Sequence, residues 1–265
     1  MDIMALIGLL GAAGLVAYGV WDGGTADNFI SSSAVAITIG GTLAALMITF
    51  PMKVFVSIPK LLFKVFFSRP HNPQKYVVEL MALSIDIKRN GMLNVERKIM
   101  TYKDAFMRKG VQLAADGANP KEVRHIMETE LDYMVERHKS GVRFFEKGAV
   151  YAPGFGMLGT LTGLINMLMQ ADDPGGITNG MAAALVTAFY GLIMANIIFL
   201  PMGNKLRRKS DEEVLCKQII IEGVISIMNE ENPLQIQEKL ISFIPPSMRS
   251  ADKIKRKANK INREI

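Results

Sequence analysis

The stretch YAPGFGMLGTLTGL, residues 151–164, admits two readings, and the choice between them fixes the fold. Gly154, Gly156 and Gly159 have the G-x-G-x-x-G spacing of a dinucleotide-binding loop. Such a loop needs a strand before it, a helix opening at it and an acidic residue about 20 positions on. Here a charged helical pattern comes first, and an apolar run over 149–171 contains the glycines. The next acids, Asp172 and Asp173, fall in a short connector. The nucleotide reading fails on context, which leaves helix packing in lipid. Gly159 and Gly163 form a small-xxx-small pair that lets two backbones approach closely. Pro153 removes a helical hydrogen bond and can kink the helix, and the freed carbonyl needs protein or water beside it.

Working outward, three more runs are long and apolar enough to cross a bilayer: 3–20, 29–50 and 177–202. No Asp, Glu, Lys, Arg or His interrupts any of the four. The first run lacks the basic flank of a signal peptide, so it reads as a retained span. Every Lys and Arg lies in 53–147 or 205–263, while the connectors 21–28 and 172–176 hold acids only. The positive-inside rule then sets the long middle segment, the tail and both termini in the cytoplasm. The net charge of +6 follows from that retention and does not call for nucleic acid. A single cysteine, Cys216, excludes an internal disulfide framework.

The reading is an all-α membrane protein. Residues 1–50 carry the first two spans. Residues 51–146 hold an interfacial helix, with Lys53, Lys60 and Lys64 reaching towards headgroups, and then a cytoplasmic helical domain. Residues 147–203 carry spans three and four, and 204–265 form cytoplasmic helices and a basic tail. Within the middle segment, one helix from about Tyr76 stops at Asn90-Gly91, and a second over 93–109 is expected to end at Gly110. Asn119-Pro120 starts a third, which meets no strong breaker until Gly141 and is expected to run on into the third span. Beyond span four, an amphipathic stretch over 211–230 and a short helix over 233–243 are expected.

The polar groups of the spans are few. Thr160 and Thr162 lie in the third; Thr187, Tyr190 and Asn196 lie in the fourth, with Pro201 at its inner end. Gly8, Gly11 and Gly14 give the first span a small-residue face. These faces predict close association with other copies or a partner. Moving ions across a bilayer usually requires an ionisable group at depth, and these spans have none. Either the chain conducts nothing, or a partner supplies the carboxylate. No nucleophile–base set, phosphate loop or metal spacing points to an enzyme.

The motifs YAPGFGMLGTLTGLINML (151–168), MAAALVTAFYGLIMANIIFLPMGNKLRRKS (181–210) and KRNGMLNVERKI (88–99) resemble the A subunit of the bacterial flagellar stator, the MotA/PomA family. The resemblance spans nearly the whole length. It implies five copies around two copies of a single-span, MotB-like B subunit in the inner membrane. That subunit would carry the membrane carboxylate and a peptidoglycan anchor. Ion flow would then drive torque on the rotor's switch ring, a FliG-type protein. Carried over residue by residue, Pro153 and Pro201 match the prolines linked to conformational coupling. Thr160 matches a threonine facing the partner's carboxylate, and Thr187 falls in the other pore-facing region, near Tyr190. Sodium-driven members have two threonines where this chain has Thr187-Ala188, so a proton is the expected ion and sodium the alternative. No cofactor is implied. Lys88 or Arg89, with Glu96, would grip the rotor. The energisers of envelope transport, ExbB and TolQ, share the general form and stand as the alternative; a scaffold without ion flux is a third.

Overall fold

A computed structural model describes residues 3–22, 24, 29–67, 72–91, 102–246 and 249. Among them are eight helices and no strand. They are α1 (Ile3–Asp22), α2 (Ser32–Thr49), α3 (Met52–Phe67), α4 (Pro73–Asn90), α5 (Ala105–Ala115), α6 (Pro120–Met169), α7 (Pro174–Met228) and α8 (Pro233–Ile241). Four of them, α1, α2, α6 and α7, are long and apolar enough to cross a membrane. The apolar part of α7 ends near Met202, and the rest of that helix is charged or amphipathic. The 50-residue α6 runs without a break from Pro120 through Gly141 and Pro153, as expected. Asn119 starts it by accepting from the Lys121 amide at 2.9 Å.

The chain gathers into two compact units, each made of two stretches distant in sequence. The first comprises Met1–Arg69 and Arg137–Arg208. Its core is aromatic: Phe144 meets Phe50, Phe55 and Phe145, and Phe145 in turn meets Phe199. Leu46, Val65 and Met202 fill the remaining space. No residue of α1 is fully buried within the chain; Leu9 packs against the aromatic core, and most of the rest of its apolar surface is left for lipid or another protein. Two turns in this unit are π-helical, Ala36–Gly40 in α2 and Met194–Phe199 in α7. The second precedes Pro201, whose missing N–H leaves the carbonyl four residues back without its usual donor.

The second unit comprises Pro70–Glu136 and Lys209–Ile265. Its core joins Leu80 and Met81 of α4, Met107 of α5, Met127 of α6, Ile219 and Ile220 of α7, and Ile236 and Leu240 of α8. Gly91, at φ 77°, ends α4 where the sequence placed the stop. Gly110 does not end a helix as expected; it lies inside α5, which continues to Ala115. A Cβ there would sit 2.5 Å from Met127 Cε, so Gly110 is a close-packing glycine and not a breaker. The turn falls at Gly117, φ 75°. Residues 93–101 of the expected piece lie outside the described residues, as does the basic tail 251–265.

Candidate functional site

The site is built on the seam between α6 and the first half of α7. Both helices present small residues along one face, so their backbones nearly touch. A Cβ on Gly163 would lie 2.7 Å from the Gly180 carbonyl oxygen and from the Ala184 nitrogen. One on Gly159 would overlap the Thr187 side chain, and one on Gly191 would lie 2.7 Å from the Ala152 oxygen. Gly159 and Gly163 therefore admit the fourth span of the same chain. Spacing alone tells that a backbone approaches, not whose. By contrast, a Cβ on Gly8, Gly11 or Gly14 of α1 meets nothing within 4 Å, so that face stays open.

The seam concentrates the hydroxyls. Thr160 donates to the Gly156 carbonyl at 3.0 Å and also lies 3.2 Å from the Ala184 carbonyl of the facing helix. Thr187, 2% exposed, donates to the Ala183 carbonyl and turns its methyl to Gly159. Thr38 of α2 reaches the Thr187 carbonyl at 3.3 Å, and Thr42 donates to the Thr38 carbonyl at 2.5 Å. Tyr190 donates to the Phe29 carbonyl, and the Phe29 and Phe189 rings meet at a tilt with centroids 5.5 Å apart. Pro153 is half-buried, beside Gly191: a Cβ on that glycine would lie 3.2 Å from the proline Cα. Ala188 is half-buried against Gly156, while Pro201 is exposed, away from the seam contacts. The structure thus joins Pro153, Thr160, Thr187 and Ala188 in one neighbourhood. Tyr190 ties the same helix to the start of α2.

Lys88 and Arg89 occupy the last turn of α4, both exposed, where basic side chains complement the helix C-terminus. Glu96 lies outside the described residues. Among the described residues no cluster of His, Cys, Asp and Glu could hold a metal ion.

Three kinds of comparison bear on this arrangement. The profile of the MotA/TolQ/ExbB proton channel family matches residues 98–218. The chain is 37% identical to motility protein A of Treponema phagedenis over 246 residues, covering 93% of this chain and 95% of the relative. The chain belongs to the motility protein A family. It is also 31% identical to the chemotaxis protein PomA of Vibrio alginolyticus, over 95% of this chain and 99% of that one. Its fold matches the flagellar MotAB stator complex from Bacillus subtilis with a TM-score of 0.84 at 31% identity, over 96% and 99% of the two chains. Membership of this family places the chain among flagellar stator A subunits, and as a multi-pass membrane protein. The near-full-length relatives named here are a motility protein and a chemotaxis protein, which favours this reading over an envelope-transport energiser.

Two features of this motility protein A relative escaped the sequence reading. The first is the pair of π turns, for which only Gly40-Gly41 and Pro201 gave a local hint. The second is a polar hub that fixes α4 in the second unit. Asp104 caps α5 through the Phe106 and Met107 amides, accepts from Tyr76 Oη of α4 at 2.9 Å, and pairs with Lys217 Nζ of α7 at 2.9 Å. Burial alone would raise the Asp104 carboxyl. Lys217, the Met107 amide and the Tyr76 hydroxyl outweigh it and hold the carboxyl below its ordinary value. The Tyr76 hydroxyl moves up, through burial and the Asp104 charge. Asp104 offered no motif; three elements distant in sequence assemble its role.

Proposed function

We propose that this stator A subunit lines an ion path whose carboxylate comes from a single-span partner, and that ion passage along the α6–α7 seam becomes torque. One observation carries the reading: spans three and four contain no Asp, Glu, Lys, Arg or His, yet they gather hydroxyls and a proline at one closely packed seam. An ion moving there needs a charged group at depth, and another chain has to bring it. The solved Bacillus subtilis relative is a MotAB complex, which supports a MotB-like partner. The open face of α1 agrees with assembly into a multi-copy ring, five copies around two partners by family resemblance.

In this reading Pro153 weakens α6 beside Gly191, so the helix can shift as the partner's carboxylate changes its charge. Thr160 and Thr187 offer hydroxyl oxygens along the way. The absence of a second threonine at Ala188 leaves fewer oxygens for sodium and favours a proton. The basic stretches hold the second unit and both termini in the cytoplasm of a cell whose inner membrane carries the spans. There the exposed Lys88 or Arg89, together with the acid Glu96, would engage the switch ring through charge that grips without permanent binding. Deleting the gene from its host tests the whole reading. Flagellated, paralysed cells are the expected result. Cells that swim normally, with no second stator set, would overturn it.

A further inference from the structure

We propose that Thr38 is a positioning residue of the ion path, setting Thr187 from the second span through the Thr187 main-chain carbonyl. The inference rests on the stator reading above and adds to it a residue outside spans three and four. Thr38 and Thr42 are both fully buried in an apolar unit. A buried hydroxyl without a partner is costly, so where each hydrogen bond goes is informative. Thr42 donates to the carbonyl four residues back in its own helix, the ordinary arrangement for a helical threonine. Thr38 instead reaches across to a helix 149 residues on and bonds to the Thr187 oxygen at 3.3 Å.

The local backbone explains the reach. Thr38 sits at the centre of the π turn Ala36–Gly40, where the Gly41 amide is shared among the Ala36, Ile37 and Thr38 carbonyls. Such a turn breaks the α-helical register and re-aims the side chains on it, and π turns concentrate at functional positions. The next residue, Gly41, lets α2 press on the third span: a Cβ there would fall 2.3 Å from the Phe155 ring, two residues beyond Pro153.

The receiving end is equally placed. A helical carbonyl has two lone pairs and gives one to its own helix, so Thr38 can take the other without breaking α7. The same Thr187 carbonyl faces Gly156, where a Cβ would lie 3.2 Å away, and the Thr187 side chain fills the space over Gly159. One oxygen therefore meets three helices. Fixing it fixes Thr187 against the segment that contains Pro153 and Thr160. The second span thus sets the geometry of an ion path that it does not line.

The test uses whole cells of the deletion host carrying the full chain with its partner. Thr38→Val keeps shape and removes the hydroxyl; Thr38→Ser restores the hydroxyl. Speed is measured across series of external pH and external sodium, alongside membrane level and co-purification with the partner. We expect Thr38→Val to assemble normally, to lose about threefold to tenfold in speed, and to shift the half-saturating ion concentration, as befits one lost hydrogen bond. Thr38→Ser should recover both. Should the valine chain fail to reach the membrane, Thr38→Ala removes the same hydroxyl without bulk and gives the same reading. Wild-type speed in Thr38→Val, no rescue by serine, or an equal loss in Thr42→Val would overturn the role. A deletion host that swims without the chain would overturn the stator reading itself. A paralysed host rescued equally by wild type and Thr38→Val would overturn only the inference about Thr38.

Discussion

Gly163 of the third span and Ala184 of the fourth face each other so closely that a Cβ on the glycine would lie 2.7 Å from the alanine nitrogen. The atoms met are backbone, so no side chain can rotate away. Gly163→Val should separate the two helices at a cost of about 1–3 kcal/mol and lower the amount of chain in the membrane. Gly154→Ala, only nine residues earlier, meets nothing within 4 Å and should leave that amount unchanged. Quantitative membrane blots compare the two. Equal tolerance would mean that the seam does not hold the hairpin.

The Asp104 hub makes a pH prediction. Its carboxyl lies below the ordinary value in the folded chain. The stabilisation is therefore complete above the unfolded value, about pH 4, and is lost as pH falls through the lower, folded value. Asp104→Ala removes the α5 cap and leaves Lys217, 12% exposed, without this partner. The expected loss is about 2–4 kcal/mol at neutral pH, with a flatter acid dependence than wild type. Thermal melting of the detergent-solubilised protein from pH 3 to 7 measures both. Parallel acid profiles for variant and wild type would count against the hub.

Lys88 and Arg89 end α4 on an exposed surface. Reversing Lys88 or Arg89, both exposed, should reduce swimming while the chain still reaches the membrane, because exposed charge contributes little to stability, and reversing Glu96 should reduce swimming too. A compensating reversal on the rotor's switch ring should restore part of the speed. Unchanged motility in all three single reversals would move the rotor contact elsewhere.

Pro153 and Thr160 lie on the seam but differ in what they do there. Pro153→Leu restores the helical hydrogen bond and should abolish swimming with assembly intact. Thr160→Val removes the hydroxyl near the Ala184 carbonyl and should lower speed about tenfold or more at low ion supply. Membrane level and co-purification with the partner check assembly in both. Normal torque in Pro153→Leu would remove the proline from the mechanism.

The helices were largely legible because hydrophobic runs and breakers are local. Asn90-Gly91 ended α4, and α6 ran on past Gly141 into the third span as expected. Gly110 misled because a glycine that turns the chain and one that admits a neighbour look alike in sequence; only Met127 decides between them. The same limit applied to Gly159 and Gly163, whose close partner turned out to be the chain's own fourth span. Pro153, Thr160 and Thr187 stood out as an intraspan proline and scarce hydroxyls, and family resemblance supplied their roles. Their meeting at one seam, Thr38's bond across to it, and the Asp104 hub depend on contacts between distant segments that no local pattern encodes.

The central claim is that the chain walls an ion path but does not carry its charge. Ion flux into vesicles containing this chain alone, this chain with its single-span partner, and the pair with the partner's membrane carboxylate neutralised tests it most directly. The account predicts flux only in the second case. Flux through the chain alone, or through the neutralised pair, would contradict it.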